Sequence, residues 1–393
     1  MEEIESLLQK RKQDNLYRTL KPAQSRKEGR IKFKDKEYLD FSSNDYLGLS
    51  NHPDLKNAVI TATERLGIGA AASRLLSGDL EIHHRLEEKV AKFKAKESAL
   101  LFNSGYQANA GIISALCQKG DVIFSDKLNH ASIIDGILLS GARFFRFLHN
   151  DMNHLEYLLK KERFKFKNSL IITESVFSMD GDKSSLSDLV NLKERYDCRL
   201  LADEAHATGI FGKTGAGVVE QEGLCGRVEL IMGTFSKALG SFGGYLACSA
   251  KIREYLINSC RSFIYSTALP PAIIAANIAS INLVKKEPHR RKILLENANY
   301  FQKSLKEKGL QVRGNSQIVP LIVGSSQKAI ELSDFLKSKS YWALAIRPPT
   351  VPKNEARLRF SLTYNHTREA LSQLVKDIYE INENYRNKNL KVK

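Results

Sequence analysis

The 393-residue chain has little cysteine, proline and tryptophan: 5, 9 and 1 residues, respectively. The cysteines are odd in number and form no Cys-x-x-Cys pair, so neither a disulfide framework nor a metal site is predicted. No run of about 18 uninterrupted apolar residues occurs, and the first residues are charged, which argues against a membrane span or a signal sequence. We therefore expect a soluble, cytoplasmic protein.

Acidic residues are also fewer than basic ones, with 44 Asp plus Glu against 60 Lys plus Arg and a net charge of +16. Such a charge is typical of proteins that bind nucleic acid and of proteins that attract anionic small molecules. The lysines are spread along predicted helices and tails and do not cluster beside aromatic residues. We favour acidic small molecules over nucleic acid, although composition alone does not decide between them.

The length is sufficient for two or three domains. Strands and helices alternate through the middle of the chain, which predicts an α/β fold with a mostly parallel sheet. We predict an N-terminal arm at residues 1–45, a large domain at 46–285 and a smaller α/β C-terminal domain at 286–393. Within these, we expect one long helical stretch at 271–310 and one strand at 341–346.

A single lysine follows a predicted buried strand at residues 228–232, in the segment Gly233-Thr234-Phe235-Ser236-Lys237-Ala238-Leu239-Gly240. Hydroxyls and glycines around a lysine let it approach a ligand closely, and in a partly dry pocket a lysine becomes nucleophilic enough to form a Schiff base. A solvated loop lysine is the alternative in so basic a chain. The motif alone does not separate the two.

A second motif lies upstream, where an apolar strand runs into Asp203-Glu204-Ala205-His206. A carboxylate at the end of a buried strand is costly unless a cation or a donor meets it. The protonated ring nitrogen of pyridoxal phosphate is such a donor, and an acid held against it keeps the ring an electron sink. An Asp here could instead cap a helix and His206 could be structural, but the order of both motifs on successive strands favours the cofactor.

Further candidates occur where other predicted strands end. The strand before Asn103-Ser104-Gly105-Tyr106-Gln107 leads directly into a helix, and the free amides of a helix start suit a phosphate. Tight turns without ligands have the same pattern. Polar residues also follow two other strands, at 126–130 and at 174–182, which is where ligands bind in parallel α/β sheets.

Together these motifs resemble those of the α-oxoamine synthases, fold-type I pyridoxal phosphate enzymes that join an amino acid to an acyl thioester. The resemblance covers the chain from about Asp40 to the last helix and is carried by Asp203-Glu204-Ala205-His206, Thr234-x-x-Lys237, Ser42-Ser43-Asn44-Asp45-Tyr46-Leu47-Gly48, Val176-Phe177-Ser178-Met179-Asp180-Gly181-Asp182, Ile264-Tyr265-Ser266-Thr267 with Pro270-Pro271, and Ala345-Ile346-Arg347-Pro348-Pro349-Thr350-Val351-Pro352.

The resemblance implies roles for matched residues. The implied catalytic residues are Lys237, which forms the Schiff base and moves the α proton, Asp203, which pairs with the pyridinium, and His130, which stacks on the ring. Further implied cofactor contacts are His206 and Ser178 at the phenolic oxygen, Gly105, Tyr106 and Thr234 at the phosphate, and Thr267 at the phosphate from a neighbouring subunit. Implied substrate contacts are Arg359 at the amino acid carboxylate, Thr350, Asn44, and Arg18 at a distal acyl carboxylate.

The match is strongest to the biotin-pathway branch of this family, chiefly at residues 345–352. It implies L-alanine and a pimeloyl thioester, on coenzyme A or a carrier protein, as substrates, and a homodimer with shared active sites. A glycine C-acetyltransferase acting on glycine and acetyl-CoA is the alternative within the family. A catalytically silent pyridoxal phosphate fold is the non-enzyme alternative, which the joint presence of Lys237, Asp203 and Arg359 disfavours.

Overall fold

The computed structural model describes residues 2–390, and the chain divides into two compact units. Met1 and residues 391–393, the outer ends of the predicted arm and C-terminal domain, lie outside the described residues. The large unit comprises Leu47–Ser178 and Lys183–Arg291, and the small unit comprises Met1–Tyr46, Met179–Asp182 and Lys292–Lys393. The arm therefore belongs to the same unit as the C-terminal residues, while the predicted three-domain division stays a prediction.

The large unit contains a seven-stranded sheet with helices between its strands. Its strands are β4 (Ser98–Phe102), β5 (Val122–Asp126), β6 (Arg143–Phe147), β7 (Ser169–Glu174), β8 (Arg199–Asp203), β9 (Leu230–Thr234) and β10 (Gly244–Cys248). Its helices are α2 (Pro53–Leu66), α3 (Glu81–Phe93), α4 (Gly105–Leu116), α5 (Ala131–Ser140), α6 (Met152–Glu162), α7 (Leu186–Arg195), α8 (Val218–Gln221), α9 (Ala250–Ser259), α10 (Arg261–Ile264) and α11 (Pro271–Lys286), with a 3-10 turn at Arg163–Lys165.

The strand order is β4-β10-β9-β8-β7-β5-β6. Neighbours from β9 to β6 are parallel, and β10 runs antiparallel to both β4 and β9. The prediction of a mostly parallel α/β sheet is confirmed. Strands β5, β7 and β9 are buried throughout, as expected for a parallel sheet covered by helices on both faces.

Strand β6 and helix α6 were absent from the sequence-based interpretation. Strand β6 lies at the edge of the sheet, and its Arg143 and Arg146 are exposed. Charged residues on an edge strand discourage pairing with other chains, but they also hide the apolar pattern by which a strand is recognised.

The small unit is built from two small sheets and their helices. Its elements are α1 (Glu2–Gln13), β1 (Ser25–Lys27), β2 (Arg30–Phe33), β3 (Lys36–Asp40), β11 (Ile318–Gly324), α13 (Ser326–Ser338), β12 (Tyr341–Trp342), β13 (Ala345–Ile346), β14 (Ala356–Ser361) and α14 (Arg368–Leu390). One sheet has the order β1-β2-β3-β12 and the other β11-β14-β13. Helix α12 (Pro288–Glu307) begins before the unit boundary and ends in the small unit.

Two predicted elements are corrected. The strand predicted at 341–346 is two short strands, because β12 pairs with β3 while β13 pairs with β14 in the other sheet. The helical stretch predicted at 271–310 is interrupted between α11 and α12, since Pro288 lacks an N–H and begins the second helix. Between residues 2 and 390, no helix has both the length and the apolar character needed to cross a membrane.

Candidate active site

Lys237 lies in the loop that follows β9, half-buried, with its Nζ 2.8 Å from Nε2 of His206. The loop is held at its start by Thr234, whose hydroxyl donates to the carbonyl of Gly243 at 2.7 Å and accepts from the Ser236 N–H at 3.1 Å. At its end, Gly240 has φ +65°, and a Cβ there would lie 2.5 Å from the Ser50 backbone nitrogen. The local fold thus fixes the lysine on both sides.

Asp203 ends β8 with its carboxylate buried and fully oriented. Its Oδ1 accepts from the Ala205 N–H at 2.8 Å, and its Oδ2 accepts from Nδ2 of Asn109 at 2.8 Å. The same amide nitrogen lies 3.0 Å from the Ser132 hydroxyl. The position of Asp203 is therefore set by the end of β8, and the orientation of its carboxylate by the hydrogen bond from Asn109 on α4.

Asn109 was not predicted as a site residue. It lies in α4 among alanine, glycine and isoleucine, and it is 1% exposed. Asparagine is a poor helix former, and burying its amide costs free energy unless the amide is hydrogen-bonded. Asn109 could have been predicted as a site residue, because it is a single asparagine among apolar residues in a helix that follows the predicted phosphate turn.

His130 immediately precedes α5 and caps it, because its Nδ1 accepts from the Ser132 N–H at 3.2 Å. The Ser132 hydroxyl lies 2.8 Å from the same nitrogen. Burial lowers the pKa of the imidazole, Asp203 opposes this and Lys237 adds to it. His130, Asp203 and Lys237 are therefore close enough to interact electrostatically, and they are brought together from three separate parts of the sequence.

The start of α4 lies beside the strand that precedes Lys237. Ser104 caps the helix by accepting from the Gln107 N–H at 3.1 Å, and Gly105 is the first helical residue. A Cβ on Gly105 would lie 3.0 Å from Cε of Met232 and 3.7 Å from Cβ of Thr234. The free amides of a helix start thus adjoin the threonine that was predicted at the same phosphate.

The other three predicted cofactor contacts, Tyr106, Thr267 and Ser178, are more exposed to solvent than Asp203 and Thr234. The Tyr106 side chain is 49% exposed, and its hydroxyl donates to the Asp135 carboxylate. Thr267 is exposed, and its carbonyl accepts from Nδ2 of Asn103 at 2.9 Å. Ser178 is half-buried at the last position of the large unit before Met179.

The small unit contains the predicted carboxylate clamp, Arg359 on β14, which is 9% exposed. Both terminal nitrogens of its guanidinium lie 3.3 Å from Oδ1 of Asn44, and one also donates to the Tyr46 hydroxyl at 3.3 Å. The Ser361 hydroxyl accepts from it as well. Burial raises the pKa of Tyr46 and Arg359 opposes this, so the phenol is a neutral partner. The guanidinium is fixed by neutral oxygens.

The other two predicted substrate residues form a separate pair in the small unit. Arg18 donates from Nη2 to Oγ1 of Thr350 at 3.1 Å, and both belong to exposed segments. A second contact joins the same two segments, because Arg347 donates to the carbonyl of Asn15. The arm is thus tied to the segment 345–352 that carried the resemblance.

The large-unit cluster fits pyridoxal phosphate by its chemistry. Within residues 2–390, the buried polar atoms that have no hydrogen-bond partner include Asn109 Oδ1 and Glu174 Oε1, on the residues that contact Asp203 and pair with it in the sheet. An amine, a buried carboxylate, an imidazole and a helix start match the carbonyl, ring nitrogen, ring face and phosphate of that cofactor. In the same described range, no group of three His, Cys, Asp or Glu side chains is arranged to hold a metal ion.

Comparison with known proteins gives a consistent result. A family model described as aminotransferase class I and II matches residues 36–378. An 8-amino-7-oxononanoate synthase of Geobacter sulfurreducens is 47% identical over 371 residues, which are 94% of this chain and 95% of the relative. One of Geotalea daltonii is 45% identical over 383 residues, or 97% of this chain and 96% of the relative.

Solved structures agree with the sequence relatives. The crystal structure of an 8-amino-7-oxononanoate synthase from Francisella tularensis has a TM-score of 0.78 at 32% identity and covers 88% of this chain and 99% of its own. A serine palmitoyltransferase from S. paucimobilis, solved with a bound PLP–myriocin aldimine, has a TM-score of 0.89 at 29% identity, with 96% of each chain covered. Both alignments extend over most of the chain.

Proposed function

The chain belongs to the 8-amino-7-oxononanoate synthases, within the class I and II aminotransferase family, and from this premise we propose that it condenses L-alanine with a pimeloyl thioester. The products are 8-amino-7-oxononanoate, carbon dioxide and the free thiol, in the biosynthesis of biotin. The cofactor is pyridoxal 5'-phosphate, and the acyl carrier is coenzyme A or a carrier protein.

One observation of the structure supports the proposal above the others: Lys237, His206 and Asp203 meet at one edge of the large-unit sheet. Lys237 Nζ lies 2.8 Å from His206, and Asp203 is oriented by Asn109. A nucleophilic amine and a buried acid are what this cofactor needs at its two ends.

When bound, pyridoxal phosphate withdraws electrons from the α-carbon of an amino acid. Lys237 would hold the cofactor covalently, and its amine would move the α proton of the substrate. Asp203 holds the ring nitrogen and His130 covers the ring. His206 keeps the lysine amine in place, and Ser178 contacts the ring oxygen.

The phosphate is bound by the first turn of α4 at Gly105 and Tyr106, and by Thr234. Backbone amides at a helix start stabilise an anion without carrying a full charge themselves. Thr267 reaches the phosphate of a second copy of the chain. This placement agrees with its exposed position.

Arg359 binds the alanine carboxylate, because a guanidinium presents parallel N–H donors that match the two oxygens of a carboxylate, and this one is oriented by Asn44 and Tyr46. Asn44 and Tyr46 keep its plane fixed. Arg18 and Thr350, which contact each other, bind the distal carboxylate of the acyl chain.

The chain acts as a homodimer with shared active sites. Supporting this, large apolar side chains are exposed on α2 and in the glycine-rich segment after it, namely Ile60, Leu66, Ile68, Leu75 and Leu76. Exposed apolar side chains that lie together on a surface mark subunit contacts, and we expect these five to lie in such a contact. A molecular mass of one chain in solution at working concentration would contradict this assembly.

The function is tested by thiol release. The purified protein, loaded with pyridoxal phosphate, is mixed with alanine, glycine or serine and then with pimeloyl-CoA, a pimeloyl carrier protein or acetyl-CoA. Release that depends on alanine and a pimeloyl thioester supports the proposal. Release with glycine and acetyl-CoA alone would retain the cofactor chemistry but replace the substrates by those of a glycine C-acetyltransferase.

A further inference from the structure

Glu174 is a buried carboxyl group in the large unit with no role in the function proposed above. It ends β7, and in the parallel pairing of β7 with β8 its register partner is Asp203. Paired residues of neighbouring strands point to the same face of a sheet. Both carboxyl groups therefore lie on one side of the sheet, at the edge where Lys237 lies.

The Glu174 side chain is poorly satisfied for an ionised group. The residue is 3% exposed, and Oε1 has no hydrogen-bond partner in the described part of the chain. Its backbone is held, since the Glu174 N–H donates to Oδ1 of Asn129 at 3.2 Å. Because one of its two oxygens has no donor in this part of the chain, the ionised carboxylate is costly to bury, whereas the protonated carboxyl is far less so.

The groups that influence the ionisation of Glu174 are two charged side chains and two backbone N–H groups. Burial raises the pKa of its carboxyl to about 8, and Asp203 on β8 contributes to this rise. Lys237, after β9, opposes the rise, as do the backbone N–H groups of His130 and Ser178. Two neighbouring carboxyl groups ionise together only at a large cost, so one proton is retained between them.

On the premise of the function proposed above, we propose that Glu174 is a positioning residue that retains a proton, so that Asp203 is the single negative charge at the cofactor ring nitrogen. In mildly alkaline solution Glu174 releases this proton to water and adds a second negative charge beside Asp203. The change involves the O–H bond of the carboxyl group alone. It alters the charge that the cofactor ring meets.

The test compares Glu174→Gln, which mimics the protonated carboxyl, with Glu174→Asp, which can still ionise. The visible absorbance of each pyridoxal phosphate-loaded protein is titrated from about pH 6 to about pH 9. The unmodified protein and Glu174→Asp should show a transition in the mildly alkaline range. In Glu174→Gln it should be lost or displaced by at least about one pH unit. An identical midpoint in the unmodified protein and Glu174→Gln would overturn the proposal.

A second measurement needs neither a variant nor the cofactor. Isotope-edited infrared difference spectra of the unmodified apo-protein, with labelled glutamate, should show a protonated carboxyl band at about pH 6 that disappears by about pH 9. Its absence would overturn the proposal even if Glu174→Gln failed to fold. If the protein never takes up pyridoxal phosphate, the proposed function fails, but the infrared band still reports whether Glu174 carries a proton.

Discussion

Asp203 and Glu204 are adjacent in the chain, yet they belong to two different polar clusters of the large unit. Glu204 is fully buried and paired: its Oε2 accepts from Lys94 at 2.7 Å and its Oε1 from the Val219 N–H at 2.9 Å. Lys94 donates in addition to the Thr208 hydroxyl at 2.9 Å and to the carbonyl of Ala216. We refer to these groups as the Glu204 cluster, and to Asp203, Glu174, Lys237, His206 and His130 as the Asp203 cluster.

The two clusters differ in how completely their charges are matched. In the Glu204 cluster burial lowers the pKa of Lys94, but Glu204 and Tyr245 outweigh it and the net pKa is raised, so the ion pair persists. In the Asp203 cluster Glu174 has a buried oxygen without a donor in the described residues, and its pKa is raised to about 8. Removing one partner from a complete buried charge network destabilises the fold, whereas an incomplete network is typical of a ligand site.

The strongest test of this difference is Lys237→Ala in the Asp203 cluster. We expect the visible absorbance of the bound cofactor to be lost and thiol release to fall by at least about a thousandfold, because the variant lacks the amine that we assign to covalent binding of the cofactor. The melting temperature of the apo-protein should change little, since Lys237 is half-buried in a loop. Unfolding at moderate temperature in this variant would contradict the assignment of the cluster to ligand binding.

The matching change in the Glu204 cluster is Lys94→Met. Removing one partner of a buried pair leaves Glu204 charged and unpaired, which should lower the free energy of unfolding by about 3–5 kcal/mol. Chemical denaturation of the apo-protein measures this loss. The double variant Lys94→Met with Glu204→Leu should recover part of it. If Lys94→Met retained full stability and instead lost cofactor, the distinction between the clusters would be wrong.

Arg359→Lys extends the comparison to the small unit. A lysine keeps the charge but cannot form the bidentate pair with a carboxylate, so we expect a loss of about 1.5–3 kcal/mol in alanine binding, seen as a higher KM. The spectrum of the cofactor without substrate should be unchanged. A variant with an unaltered KM for alanine would remove Arg359 from the substrate site. Arg357→Lys, on the same strand, is the control for effects on folding.

The pH dependence of stability should also separate the two clusters. Because the native pKa of Glu174 lies above its unfolded value, Glu174 favours the folded state at low pH, and this contribution is lost as the pH rises from about 4.5 to about 8. Through Glu174, we expect the free energy of unfolding of the apo-protein to fall by at most about 1.4 kcal/mol for each pH unit in this range. Glu174→Gln should remove that slope in thermal unfolding, while a slope that remains would point to other groups.

The small unit should show the opposite trend through His366. This residue is buried against Phe41, with ring centroids 4.2 Å apart, and burial lowers its pKa to about 3. A histidine kept neutral in the fold stabilises it above the unfolded pKa, and the contribution is lost as the pH falls from about 6.5 to about 3. Acid unfolding should therefore begin at a lower pH in a His366→Gln variant that folds.

Much of the fold and of the candidate site could be predicted from the sequence. The alternation of elements gave the mostly parallel sheet, and the strand-end residues identified Lys237, Asp203 and His206, two of which lie in contact although they are 31 residues apart. These predictions succeed because a strand end is a local pattern and parallel strands end at the same edge of a sheet. Roles within the site remain predictions for the experiments above.

The tertiary structure alone decided which groups meet. The sequence does not indicate that Asn109 on α4 orients Asp203, or that the pairing of β7 with β8 places Glu174 next to Asp203. It also does not indicate that Glu204 forms an ion pair with Lys94. It also does not show that residues 341–346 serve two sheets. The kinds of chemistry present could be predicted, because residue types and strand ends are local features of the chain. Partners and register depend on packing between distant segments, which sequence patterns of short range do not encode.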